Sequence, residues 1–251
     1  MIEQTNWLYG KTTVNALNIR KAPSLSAQRW NNVWPVARIA LIKPTYNTDW
    51  YETIYRGQKA YVSAKYMDLL PDQVHESIPD RMMYMAQAEL GRSKSIYFNG
   101  YTGAWCHRFA DWLAMHAGLP PEYIPNTGNC AWGVAWFVAD QNSGGFFFKN
   151  QIHKTRIIRR IAPLRHLSPL MTEDEEEYVP SVGDYVYFRW PHAEVLTNVS
   201  HVAIVRHVSD MDIATYEGNV NKKVVSRVFA LDDNRIVGYG KPLYQKRAFF
   251  S

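Results

Sequence analysis

Trp105-Cys106-His107-Arg108-Phe109-Ala110-Asp111-Trp112 opens a helix whose spacing and chemistry decide how the rest of the chain is understood. Cys106, Phe109, Ala110, Leu113 and Ala117 recur at the three-, four- and seven-residue intervals that line one face of an α-helix. Gly118-Leu119-Pro120-Pro121 ends it. His107 and His116 fall on the outer face. A cysteine at the first turn of a helix meets unpaired N–H groups and the positive end of the helix dipole, which favour thiolate over thiol. The thiolate is the form that attacks a carbonyl, so Cys106 is a candidate nucleophile.

Such a thiol needs an imidazole to take its proton and a polar group to hold that imidazole in one tautomer. His201 opens the apolar run Val202-Ala203-Ile204-Val205, a strand start from which a rigid sheet can aim the ring. Sixteen residues on, Glu217-Gly218-Asn219 ends the next strand and puts two polar side chains at i and i+2, on one face. Most other histidines have plainer places: His75 in a linker, His153 and His166 in a basic stretch, His192 in a loop. Cys130 follows Asn129, a good N-cap, and heads a helix running to about Asp140, so it is a rival thiol. Two cysteines are too few for a disulfide framework and lack zinc-site spacing, although one bridge between them stays open.

Upstream, Pro79 and Asp80 suit a first helical turn, and Met82 to Leu90 continues a helix until Gly91. Downstream of Val179 the texture is β, with strands expected at 185–188, 202–208, 213–217, 224–229 and 236–239. Helices first and strands later predict an α+β fold, the helices packed on an antiparallel sheet. Residues 14–70 read as short strands with turns, a small barrel or sandwich, and the proline-bounded polar stretch 71–79 as a linker. The expected organisation is therefore 1–70, a linker at 71–79, and a catalytic domain over 80–251.

With 47% hydrophobic and 20% charged residues among 251, the chain can bury a substantial core. No run approaches the ~18 consecutive apolar residues of a membrane span, and Met1-Ile2-Glu3-Gln4-Thr5-Asn6 has no secretory n-region. A soluble protein is expected. The net charge of +5 is concentrated at one end, because residues 1–70 carry nine Lys/Arg against four Asp/Glu while the remainder balances at nineteen each. That suits either an anionic polymer, such as nucleic acid or wall teichoic acid, or a solvated basic surface. No nucleic-acid reading motif accompanies it, so nucleic acid is not an expected partner. The basic run 149–165 and the acidic run 173–177 read as solvated surface.

Trp105-Cys106-His107-Arg108-Phe109-Ala110-Asp111-Trp112 resembles the nucleophile helix of CHAP domains, the cysteine, histidine-dependent amidohydrolases/peptidases. Pro180-Ser181-Val182-Gly183-Asp184, Ser200-His201-Val202-Ala203-Ile204-Val205, Glu217-Gly218-Asn219 and Ile236-Val237-Gly238-Tyr239-Gly240 are similar to further segments of that family, in the same order, over roughly 80–243. The resemblance implies a papain-like, NlpC/P60-like fold and hydrolysis of peptidoglycan, as N-acetylmuramoyl-L-alanine amidase or peptide endopeptidase. It assigns Cys106 as nucleophile, His201 as base, Glu217 as the group orienting His201 and Asn219 as an auxiliary partner. Cys130 then resembles a helix outside the catalytic set. Some CHAP relatives bind calcium through an acidic loop before the cysteine, but residues 91–105 hold no Asp or Glu, so neither metal nor cofactor is expected. The stretch 17–24, Trp50 and 61–66 resemble bacterial SH3 domains, which implies wall binding, with a spacer as the alternative. Peptidoglycan and anionic wall polymers are the expected partners and the cell wall the expected location, reached by secretion or by release on lysis from a phage-encoded origin. A non-catalytic wall-binding or phage structural module is the alternative to an enzyme.

Overall fold

The computed structural model describes residues 7–14, 16–33, 38–42, 49–56, 58–75, 77–93, 102–140, 142–150, 153–155, 178–190 and 199–244. The chain divides into two compact units, one of 1–90, 113–121 and 245–251, the other of 91–112 and 122–244.

In the first unit seven strands form one antiparallel sheet: β1 (Trp7–Thr12), β2 (Leu17–Arg20), β3 (Arg29–Val33), β4 (Arg38–Ile42), β5 (Trp50–Tyr55), β6 (Gln58–Ser63) and β7 (Met67–Gln73). Their order is β3-β2-β6-β5-β4-β1-β7. Alternation drives the burial, with Leu17 and Ile19 of β2 and Ala60 and Val62 of β6 turned inward. The sheet ends at β3 and β7, which do not pair with each other among the described residues, so no closed barrel of the expected SH3-like kind is present. The expectation fell short because Trp7–Thr12 supplies a further strand between β4 and β7. Met67–Gln73 pairs with it and carries sheet structure into the stretch anticipated as linker.

Helix α1 (Ile78–Gln87) groups with this unit. Ser77 caps it, its hydroxyl accepting the Asp80 N–H at 3.1 Å, and Pro79 sits in the first turn where a missing N–H costs nothing. Its inward stripe is Ile78, Met82, Met85 and Ala86, and the helix stops before Leu90, which is 44% exposed.

The second unit contains a six-stranded antiparallel sheet of β8 (Ser143–Phe148), β9 (Tyr185–Phe188), β10 (His201–Val208), β11 (Asp212–Val220), β12 (Lys223–Ala230) and β13 (Ile236–Pro242). The order is β12-β11-β10-β9-β13-β8. Two helices precede it, α2 (Cys106–His116) and α3 (Cys130–Ala139), so the α+β class holds. Strand β9 is buried on both faces. Tyr185 and Tyr187 point one way and send their hydroxyls to α2, at Asp111 and His107. Val186 and Phe188 point the other way into a core with Ala203, Val205, Ile213, Phe229, Ile236 and Tyr239. Gly183 precedes β9 at φ 98°, a left-handed conformation that glycine tolerates, and the Asp184 carboxylate closes the turn by accepting the Ser181 N–H at 2.7 Å.

Several local expectations needed correction. Helix α2 is not amphipathic in its burial: His107 is 0% and His116 3% exposed, where an outer-face position was anticipated. Their polar rings take hydrogen bonds or ring contacts inside the protein, so periodicity alone misplaces them. His75 lies not in an open linker but in a ring cluster with Tyr9 and Tyr84. His153 and Lys154, in the run anticipated as solvated, are buried. Residues 156–177, His166 and His192 lie outside the described residues. Strand β8 went unforeseen because Gly144 and Gly145 dilute its β-propensity.

Candidate active site

Cys106 is the first residue of α2 and is 2% exposed. The Trp105 carbonyl accepts the Phe109 N–H at 2.9 Å, so the amides of Cys106, His107 and Arg108 precede the first intrahelical donor, beside the sulfur. The Cys106 thiol lies near enough to His201, the first residue of β10, for each to shift the titration of the other. His201 Nε2 in turn lies 2.8 Å from Glu217 Oε2 on the neighbouring strand β11, which leaves Nδ1 as the ring nitrogen facing the sulfur. The sequence thus brings three residues separated by up to 111 positions together, His201 hydrogen-bonded to Glu217 and beside Cys106.

Glu217 is 0% exposed and fully satisfied. Thr215 Oγ1 donates to Oε1 at 2.8 Å, Arg227 Nε donates to Oε1 at 2.8 Å, and Arg227 Nη2 donates to Oε2. Burial alone would raise the Glu217 pKa, but the bonds from Arg227 and His201 overcome it and hold the carboxyl at about 2. Burial likewise works against the His201 imidazolium, and the bonds to Cys106 and Glu217 outweigh it, pushing the ring up to about 9. The ring packs against the stacked pair Phe188 and Trp190, each with its centroid 6.2 Å away.

A second thiol stands at the site. Cys130 heads α3, positioned by the Asn129 cap that accepts the Ala131 and Trp132 N–H groups at 2.9 and 3.2 Å, and its Sγ lies 3.7 Å from that of Cys106. Both cysteines are free. Hydrogen bonding from Cys130 is the largest influence on Cys106; burial opposes it, His201 adds to it, and the Cys106 thiol is held well below its ordinary value. The same contact, with burial, pushes Cys130 up. On the same helix lies a buried pair, His107 Nδ1 3.1 Å from Asp111 Oδ2, with His107 Nε2 2.8 Å from Tyr187 Oη. Burial lowers the His107 pKa, the Asp111 carboxylate more than offsets it so that the pKa is raised, and His107 also draws the Cys106 thiol down.

Of the four residues singled out in the sequence, Cys106, His201 and Glu217 are joined. Asn219 makes no hydrogen bond to them among the described residues. The strand breaks register between Glu217 and Val220, and Asn219 has φ 67°, so the same-face rule for i and i+2 fails there. Arg227 and Thr215 were missed. They are cross-strand partners, and pairing β11 with β12 across the turn at 221–222 is the signal that would have found them. Gly218 lets β11 approach α2: a Cβ there would meet Phe109 Cβ at 2.6 Å and Trp105 Cζ3 at 2.8 Å.

Among solved structures the chain is similar to NlpC2 from Trichomonas vaginalis, at 15% identity and a TM-score of 0.38, covering 95% of this chain and 73% of that one. It is similar to an NlpC/P60 family protein from Bacillus cereus ATCC 10987 at 13% identity and a TM-score of 0.37, over 96% and 64%. An NlpC/P60 endopeptidase from Photobacterium damselae subsp. piscicida matches at 10% identity and 0.38, over 94% and 53%. At these identities and scores the likenesses carry no argument about function. No curated protein sequence matches. Residues 96–219 match the family model of the CHAP domain, a segment that holds Cys106, Cys130, His201, Glu217 and Asn219 and that supports, in general terms, a cell-wall hydrolase.

Proposed function

We propose that this chain hydrolyses amide bonds of peptidoglycan, with Cys106 as nucleophile, His201 as general base and acid, and Glu217 as the group that orients His201. The observation that carries this reading is the Cys106–His201–Glu217 chain, in which a depressed thiol faces a raised imidazole. The Cys106 thiolate attacks the amide carbonyl carbon, and the oxyanion is met by backbone N–H groups at the start of α2. The His201 imidazolium gives its proton to the leaving amine as the C–N bond breaks, which leaves an acyl-enzyme and a neutral ring. His201 then takes a proton from water, the hydroxide adds to the thioester carbonyl, and the thiolate departs as the carboxylic acid is released. Arg227 acts through Glu217 as a positioning residue.

The first unit serves as the wall-contacting part. Its support is the excess of five positive charges within residues 1–70 and a groove of about 310 Å³ lined by Asn18, Arg20, Trp50, Ser63 and Tyr66, a mixture of aromatic and hydrogen-bonding groups suited to a polymer of sugars and short peptides. Action at the wall follows from that substrate.

Mass spectrometry of fragments released from purified peptidoglycan tests the reading. A new amine on the stem peptide with free lactoyl carboxylate identifies an amidase, and a new amine within or between peptides an endopeptidase. Release that persists in Cys106→Ala, or no release at all from peptidoglycans of several cross-link types, overturns it.

A further inference from the structure

The proposed hydrolysis uses one of two sulfurs that the fold has placed together. Cys130 is buried, is 3.7 Å from Cys106, and has no part in the steps above. Each thiol heads a helix, and a side-chain cap fixes the Cys130 end. They are the two cysteines of the chain, so neither has another partner within it. A disulfide needs the sulfurs at ~2.05 Å, and at 3.7 Å they already stand in contact.

We propose that Cys106 and Cys130 form a reversible disulfide, with Cys130 as the resolving thiol that captures Cys106 after attack by a peroxide. This rests on Cys106 being the reactive thiol of the proposed hydrolase. The chemistry balances with hydrogen peroxide as the two-electron oxidant. The Cys106 thiolate forms a bond to one peroxide oxygen, the O–O bond breaks, and the departing hydroxide takes the proton of the His201 imidazolium, giving one water and a sulfenic acid. Cys130 sulfur then attacks the Cys106 sulfur, the S–O bond breaks, and hydroxide leaves with the Cys130 proton as a second water. Two thiols are oxidised and one peroxide is reduced. A thiol in van der Waals contact with the sulfenate intercepts it before a second peroxide can carry it to the irreversible sulfinic acid. The disulfide stores the nucleophile in an inactive form that a thiol reductant restores.

The test uses the full chain, reduced and then exposed to equimolar hydrogen peroxide. Intact mass under non-reducing conditions is expected to fall by two hydrogens, both cysteines to resist iodoacetamide, and dithiothreitol to return both thiols together with peptidoglycan release. Cys130→Ala is expected to gain oxygen instead, one atom at equimolar peroxide as a sulfenic acid that dithiothreitol reverses, and two atoms in excess peroxide as a sulfinic acid that stays inactive after dithiothreitol. Wild-type protein that gains oxygen without losing two hydrogens, or that links two copies through Cys106, overturns the proposal even if the variant does not fold. The mass readout does not depend on turnover. Loss of two hydrogens in a protein that releases nothing from peptidoglycan sinks the hydrolase and leaves the disulfide standing, whereas hydrolysis with oxygen gain alone does the reverse.

Discussion

Arg227 grips Glu217 with both arms of its guanidinium, Nε on Oε1 at 2.8 Å and Nη2 on Oε2, while its Cζ lies 4.9 Å from the Trp190 ring centroid and 5.1 Å from that of Phe229. A carboxylate held this way cannot rotate, and its remaining valence is spent on His201 Nε2. The imidazole is thereby fixed with Nδ1 toward the sulfur.

Arg227→Ala is expected to lower kcat/KM by about tenfold or more, a loss on the order of 1.4 kcal/mol or larger. Stability should fall by on the order of 2 kcal/mol, less than for a fully buried pair because the Arg227 side chain remains 33% exposed. Arg227→Lys restores charge but not the fork, so it should recover the stability better than the activity. The acid limb of the pH–rate profile should move up in both variants. An unmoved limb would show that Arg227 does not act through Glu217.

Glu217 gives a stability signature in acid. Its folded pKa of about 2 lies below the 4.5 of an unperturbed glutamate, so its contribution is complete above pH 4.5 and is lost as pH falls toward 2. The shift corresponds to on the order of 3 kcal/mol. Urea denaturation across that window should therefore show a steeper loss for wild type than for Glu217→Gln, with the same substitution cutting peptidoglycan release by about a hundredfold or more. Parallel acid curves would refute the assignment.

Alkylation of Cys106 by iodoacetamide should rise well below the ordinary thiol range of ~8.5 and stay level until His201 gives up its proton at about pH 9. Cys130 should lag throughout, because its pKa is raised. Peptide mapping of the label distinguishes the two, and faster labelling of Cys130 would reverse their roles.

Two glycines mark where the site cannot take another carbon. Gly218→Ala would press a Cβ into Phe109 and Trp105, and Gly133→Ala would set one 2.0 Å from His107 Nε2 and 2.5 Å from Tyr187 Oη. Each should cost ~1–3 kcal/mol by thermal denaturation. Gly218→Ala should also lose activity, since Glu217 sits one residue away; full activity there would mean the strand can retreat without disturbing the site.

For the first unit, full-length Cys106→Ala should be retained on purified walls at low salt and released at ~1 M salt, where screening is nearly complete. Arg20→Glu should weaken retention, and binding indifferent to both would remove the wall-contacting role.

The placement of Cys106, His201 and Glu217 was legible because each sits where a local rule has force: a helix start, a strand start, a strand end. Strands 185–188, 202–208 and 224–229 were equally readable from alternating or continuous apolar runs. What the sequence concealed was set by pairing over distance. His107 reads as an outward polar residue until Asp111 and Tyr187 are known to meet it, and Arg227 reads as a surface cation until β12 is laid against β11. Asn219 shows the opposite failure, a sound period-2 inference undone by one left-handed residue. In the first unit, glycine and polar residues in Trp7–Thr12 and Met67–Gln73 hid two strands whose partners lie far along the chain.

Strand β12, which bears Arg227, is the last in its sheet, and only at its start, where Gly91 and Arg92 exchange backbone bonds with Val224, is its outer side matched among the described residues. Amide protons along 226–229 are accordingly the ones to watch in hydrogen exchange. If that rim frays before the molecule melts, the carboxylate behind His201 loosens first, and the thermal ceiling on catalysis falls below the melting temperature of the whole protein.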